Sequence, residues 1–361
     1  MNDLSIDGEN GEAAQQRYGN YTILGNLNVS GTIYHFTNNL NRPISIDVEA
    51  NGKLTCSAFC TANAGSSNVS VQMGSNTGGS TLRVKSRGTL EITGGKPENS
   101  NIYNLSFCKK LDMGLPGSFS SGIGVQNNVI DLQAGSTVIY SGASGNQKVQ
   151  DTKIVYANLV FQGNAKKWIN DTLRILENIH IKQSSVFDAE NHLIYLGGNW
   201  NNYGEKGFEE GNSTVILNGS NTQEISNSIG EKFYKLILQN SVNTFFDVQI
   251  RQQFDMLNGN LNANGRTVTL GESAVNTGIL NYQNGRIIGK MKRWFAPSIN
   301  SEAASGLFPI GNSQYDQFVT VEFTTPPSLG GSLTTEFVPE NMALFGVPAN
   351  PYTIQSTGSC P

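Results

Sequence analysis

Apolar and polar positions alternate along this 361-residue chain in short runs. Runs at 21–24, 27–29, 44–48, 69–72, 82–84 and 89–92 last three to six positions and break at Asn, Gly, Asp or Ser. The same text continues at 172–176, 179–181, 186–187 and 193–196. A period of two puts successive side chains on opposite faces of a strand. No stretch holds a 3.6-residue apolar period beyond two turns. The pattern predicts an all-β chain of many short strands joined by tight turns.

The strands repeat. GSTVIYSG at 135–142 matches NSTVILNG at 212–219, an offset of 77 residues. Tyr156 to Phe161 matches Phe233 to Leu238 at the same offset. Asn191 to Gly197 resembles Gly265 to Gly271 at an offset of 74, so a few loop residues are lost. Order and spacing hold over three segments, which chance does not explain. Close-spaced short strands with an internal repeat and no closing pattern favour a solenoid over a sandwich or barrel. The expected fold is a parallel β-helix with coils of roughly 20–25 residues stacked at the ~4.8 Å strand spacing.

The text changes near residue 286. Arg286, Lys290, Lys292 and Arg293 fall within nine positions that end at Trp294. Seven of the 11 prolines lie between 297 and 351. Longer alternating runs separated by Pro and Gly predict an antiparallel β module that caps the last coil. The expected plan is a polar lead-in over 1–17, a parallel β-helix over 18–285, with the repeat at about 135–271, an antiparallel module over 286–345 and a tail over 346–361.

Composition narrows the functions. Charged residues make up 14%, against about 25% in an average soluble protein. With 24 Lys+Arg against 28 Asp+Glu, the chain lacks the clustered positive charge that nucleic acid requires. No apolar run is long enough for a membrane span. The 43 Asn and 40 Gly suit coil corners, where left-handed backbone and side-chain-to-backbone bonds are needed.

Candidate chemistry is thin. Asp247 and Asp255 are eight residues apart, and Glu209 and Glu210 share a turn, so neither pair fits two converging catalytic carboxylates. His35, His180 and His192 are scattered. Cys56 and Cys60 are spaced CxxxC, with Cys108 and Cys360 apart; no His completes a zinc pattern, and buried thiols or one disulfide are the simpler reading. No cofactor or metal site is expected. Trp168, Trp200 and Tyr203 are candidate glycan-stacking residues, although Trp200 also suits packing over a coil corner. Trp294 beside Arg293 suggests a cation–π pair or a hinge against the last coil.

One phrase is familiar. LGGNWNNYG at 196–204, Phe208, STVILNG at 213–219, Gln223-Glu224-Ile225 and Phe233-Tyr234-Lys235-Leu236 resemble a recurrent phrase of very large secreted surface proteins of the Bacteroidetes. Gly289, Arg293, Phe308-Pro309-Ile310-Gly311 and Tyr315 resemble the segment that often follows it. The resemblance covers about 135–340 well, and 18–134 in style only. It implies a filamentous adhesin-like cargo of the type IX system, extracellular or at the cell surface, with a surface polysaccharide or a cell-surface glycan as partner. It also makes Thr172, in Asp171-Thr172-Leu173, a candidate O-glycosylation site. No leader is visible, and the ends read as those of a fragment.

The expected function is therefore non-enzymatic: a rigid polar β-helical rod for extension and contact. Two alternatives remain, a carbohydrate-active β-helix enzyme and a phage tail-fibre-like receptor binder. A groove across several coils that carries a carboxylate pair within about 5–10 Å would favour the enzyme.

Overall fold

The computed structural model describes residues 21–28, 45–56, 81–94, 129–151, 154–297, 306–323, 325 and 327–338 in full. Of strand residues 4–8, 14–16, 29–31, 34–37, 59–60, 71–74, 105–106 and 353–355 it describes the backbone. The described residues are strand and turn, with no helix. They form long parallel sheets, the architecture of a parallel β-helix, as the alternation and the repeat predict. The chain divides into two compact units, Met1–His192 with Gly204–Glu209, and Leu193–Tyr203 with Glu210–Pro361.

In the first unit, strands Tyr21–Ile23, Ser45–Val48, Thr81–Val84 and Val129–Leu132 stack in parallel. The next corner leads to a second stack, Asn26–Gly31, Lys53–Cys56, Thr89–Ile92, Thr137–Tyr140, Asn158–Phe161 and Ile179–Ile181. This parallel pairing starts well before the repeat. A third sheet runs through Asn146–Lys148, Lys166–Trp168, Val186–Asp188 and Phe208–Glu209.

Register makes the core. Leu54, Leu90, Val138, Leu159 and Ile179 lie over one another and are all buried. Cys56, Ile92, Tyr140, Phe161 and Ile181 form a second buried column two positions on. The path from one column member to the next differs along the chain. It takes 36 residues from Leu54 to Leu90 and 48 from Leu90 to Val138, then 21 to Leu159 and 20 to Ile179. The coil length predicted from sequence fits the later coils and also the first, 23 residues from Leu4 to Leu27 and 25 from Tyr21 to Ile46; the turns from Leu54 to Leu90 and from Leu90 to Val138 are longer.

Asparagine does two jobs at the corners. At one, Asn51, Arg87 and Gly135 stack with φ of 65°, 64° and 76°, each bonded by backbone N–H to the carbonyl of the next. Elsewhere Asn side chains tie coil to coil. Asn158 Nδ2 donates to Ser136 O at 3.2 Å and its Oδ1 accepts from Asn178 Nδ2 at 3.0 Å. Asn240 Nδ2 donates to Gly219 O at 2.8 Å, and Asn260 Oδ1 accepts from the Arg286 N–H at 3.1 Å.

In the second unit, Ile194, Val215, Leu236, Phe254 and Leu280 form the buried column. The strands lengthen. Glu231–Leu238 and Val248–Met256 each turn a corner, with a register shift between Phe233 and Lys235. Ile287–Phe295 pairs in parallel with Leu261–Leu270 on one edge and antiparallel with Gly331–Glu336 on the other. Leu307–Gly311 and Asp316–Thr320 form a further antiparallel pair.

Candidate functional site

In the second unit, strand register builds a polar face. Lys232 stands opposite Gln249, Gln249 opposite Thr269, and Thr269 opposite Lys292. Each directly follows a buried residue, Glu231, Val248, Val268 and Met291 in turn, so the pleat sends all four outward. One residue beyond the paired Leu270 and Arg293 come Gly271 and Trp294. Only glycine fits at 271: φ is 89°, and a Cβ would meet Thr277 O at 2.5 Å. A groove of about 300 Å³ opens here, with Lys232, Gln249, Thr269, Lys292 and Trp294 in its walls.

The charges in this groove are unevenly engaged. Lys292 Nζ lies 5.0 Å from the centre of the half-buried Trp294 ring, a cation–π distance. Among the described residues, neither Lys232 nor Lys292 has an ion-pair partner. The carboxylates at the rim are occupied. Asp247 Oδ1 accepts the Thr267 N–H at 2.9 Å. Glu272 accepts Arg251 Nε at 2.6 Å and Asn276 Nδ2 at 2.7 Å, and Arg251 also reaches Glu210 at 2.9 Å.

A third carboxyl, that of Glu231, is buried. Its Oε2 accepts Trp200 Nε1 at 2.8 Å, Asn202 Nδ2 at 3.0 Å and Asn227 Nδ2 at 3.4 Å. Its Oε1 accepts the Lys232 N–H at 3.1 Å. Burial pushes the pKa up to about 7, against the pull of these donors toward the ionised form. Every partner is an N–H, so the carboxyl serves as an acceptor that holds Trp200 and Asn202 in place.

Other polar groups inside the coils are structural in the same way. In the first unit, Lys167 is fully buried. Its ammonium donates to Gly163 O at 2.9 Å, Ala165 O at 2.7 Å and Gly142 O at 3.4 Å, and also to Gln162 O. Burial draws its pKa down to about 7, while the carbonyl cage favours the charged form. Gln147 Oε1 accepts the Gly142 N–H at 2.8 Å, and Gln223 Oε1 accepts the Gly219 N–H at 2.8 Å. Gly142 and Gly219 are equivalent positions at the ends of the two matched eight-residue segments, so each unit closes that corner with a buried glutamine clamp.

The aromatic residues singled out in the sequence part ways. Trp200 has 0% exposure and packs edge-on against Phe233, with ring centroids 5.4 Å apart. This corrects its candidacy for glycan stacking, since no face of the ring is open. Trp168 is half-buried under Lys148 Nζ, 5.1 Å from its ring centre. Tyr203 is 49% exposed. Trp168 belongs to the first unit and Tyr203 to the second. The expected Trp294–Arg293 pair is also corrected. Alternation sends the two to opposite faces, where Lys292 meets Trp294 and Arg293 lies over Phe308 at 5.8 Å.

Thr172 is half-buried, its N–H held by Asp171 Oδ1 at 2.7 Å. His180 and His192 are half-buried in the first unit, with Glu190 3.9 Å from His192 Nε2. Asp255 accepts from Gln253 and Asn281, away from the groove that Asp247 lines. Glu209 pairs with Lys166 at 2.6 Å. Cys56 is buried; the side chains of His35, Cys60, Cys108 and Cys360 lie outside the described residues. Among the described residues, no cluster of His, Cys, Asp and Glu is suited to a metal, and no helix is long and apolar enough to cross a membrane.

Sequence reasoning missed Lys232, Gln249, Thr269 and the buried Glu231. Its one available signal was the basic run that ends at Trp294, since Lys292 and Trp294 lie two apart in an alternating strand and must share a face. No protein-family model, no curated protein and no solved structure matches this chain.

Proposed function

We propose that this chain is a non-enzymatic structural and adhesive segment of a secreted cell-surface protein, similar to the Bacteroidetes surface proteins whose phrases it shares. It extends from the surface and contacts polysaccharide. The observation that carries this reading is the state of the carboxylates at the groove. Glu231 has both oxygens filled by N–H donors, Glu272 is held by Arg251 and Asn276, and Asp247 accepts a backbone N–H. A hydrolase needs one carboxyl free to give a proton and another free to act as base or nucleophile. Incubation with a panel of acidic and neutral polysaccharides is expected to give retention without shortening of the chains. Release of new reducing ends or of unsaturated uronates would overturn the reading.

A carbohydrate-active enzyme is the second reading, and one observation favours it. The groove is lined by Glu231 at the start of its strand and by Asp247 and Glu272 just outside theirs, and burial pushes the Glu231 pKa up to about 7, where a general acid works best. Its test is direct: turnover by the native chain that is lost in Glu231→Gln and has a pH optimum set near 7.

A further inference from the structure

Resting on the polysaccharide-contact reading, we infer that the outward row Lys232–Gln249–Thr269–Lys292, closed by Trp294, is a binding site for an anionic polysaccharide of the uronate class. The chain lies across the strands, along the direction in which the coils stack. Register fixes the geometry. The four residues occupy successive paired positions on four strands, so the two ammonium groups are carried three strand spacings apart, about 14 Å. Between them stand an amide and a hydroxyl, which suit sugar hydroxyls rather than further charge.

Three features select this ligand. Neither lysine has an ion-pair partner among the described residues, so both are available to carboxylates carried at intervals along a sugar chain. The Lys292 ammonium is held over the Trp294 indole at 5.0 Å, which limits its wandering before a ligand arrives. The half-buried indole gives the groove an apolar wall for the C–H face of a ring. Exposed Asp247 at the rim disfavours a densely charged phosphate backbone. The same row explains the basic run of the sequence. Arg286 is spent on Asp316 at 2.7 Å and Arg293 on Leu307 O at 2.6 Å; of the remaining Lys290 and Lys292, Lys292 lines the groove.

The test is calorimetric titration of the full chain with polygalacturonate oligomers, with neutral dextran oligomers and single-stranded DNA as controls. Polygalacturonate is expected to bind and to weaken as salt rises, with both controls at least tenfold weaker. Lys232→Gln with Lys292→Gln is expected to weaken uronate binding at least tenfold. Trp294→Ala is expected to do the same, with thermal unfolding followed to show that the fold persists. Native binding that the lysine pair does not change would overturn this site and leave the polysaccharide reading standing. DNA bound as tightly as uronate would overturn the assignment of ligand class. No binding of polygalacturonate or dextran would sink the site and count against the wider reading.

Discussion

The charge ladders of the first unit and the groove face of the second treat charge in opposite ways, although elsewhere the second unit also pairs Arg251 with Glu210 and Glu272. In the first, outward charges stack in compensating register. Arg83 sits between Asp47 and Asp131, at 2.6 and 3.2 Å, and Lys85 bonds Glu49 at 2.5 Å beside it. Lys53 reaches Glu91 at 2.5 Å on the next strand of the coil. In the second unit the outward row from Lys232 to Lys292 has neutral neighbours, and a carboxyl, that of Glu231, lies inside. Parallel register forces side chains of adjacent coils to within one strand spacing, so a charge meets either its opposite or a neutral group. Closed ladders hold a sheet together; an open row is free to meet something else.

That contrast can be broken from the inside first. Trp200→Ala is expected to destabilise the second unit by about 3–5 kcal/mol, because it removes a fully buried ring and strips one donor from Glu231. A denaturant melt with a tryptophan-independent probe measures it. If the loss is under about 1 kcal/mol, the packing of the indole against Phe233 does not hold the unit together.

Next comes pH. Folding raises the pKa of Glu231 from an ordinary 4.5 to about 7. Between those values the folded state holds the proton and the unfolded state does not, so stability falls as pH rises through that window. The expected loss is about 3 kcal/mol from this group. In Glu231→Gln that slope between pH 4.5 and 7 is expected to disappear. An unchanged slope would assign it to other groups.

The charge ladder is worth less. Arg83→Met removes two ion pairs that are part-exposed, with 35% of the arginine side chain open. The expected cost is about 1 kcal/mol or less, shrinking as salt is added. A larger, salt-insensitive loss would mean that the ladder acts through packing. Smallest of all, Lys232→Gln is expected to change stability by no more than about 0.5 kcal/mol, which is what makes it a clean probe of binding.

Much of the fold was legible in the sequence because its cause is local. Alternation at Thr137 to Tyr140 or Leu193 to Leu196 follows from the two-residue pleat, and each run carries its own inward face. The 77-residue repeat was legible because GSTVIYSG and NSTVILNG keep the same column residues and the same corner glycine. Even the glutamine clamp left a trace, as Gln147 and Gln223 follow Gly142 and Gly219 at nearly the same distance. Trp200 was harder. Its sequence neighbours Asn201 and Asn202 suggest a polar corner, and only Glu231, 31 residues on, reveals why the ring is buried.

By itself, then, the sequence determined an all-β chain, its parallel coils, and a surface built from Asn, Gln, Thr and Ser rather than charge. Only the tertiary structure decided which coil positions meet. Lys232, Gln249, Thr269 and Lys292 are separated by 17, 20 and 23 residues, a series with no period to read. Each coil's turns absorb a different number of residues, so register is set by closing every coil onto the one before it. Strand patterns are written in neighbouring residues; the row that faces solvent is written in loop lengths, and those become distances only when the chain is wound.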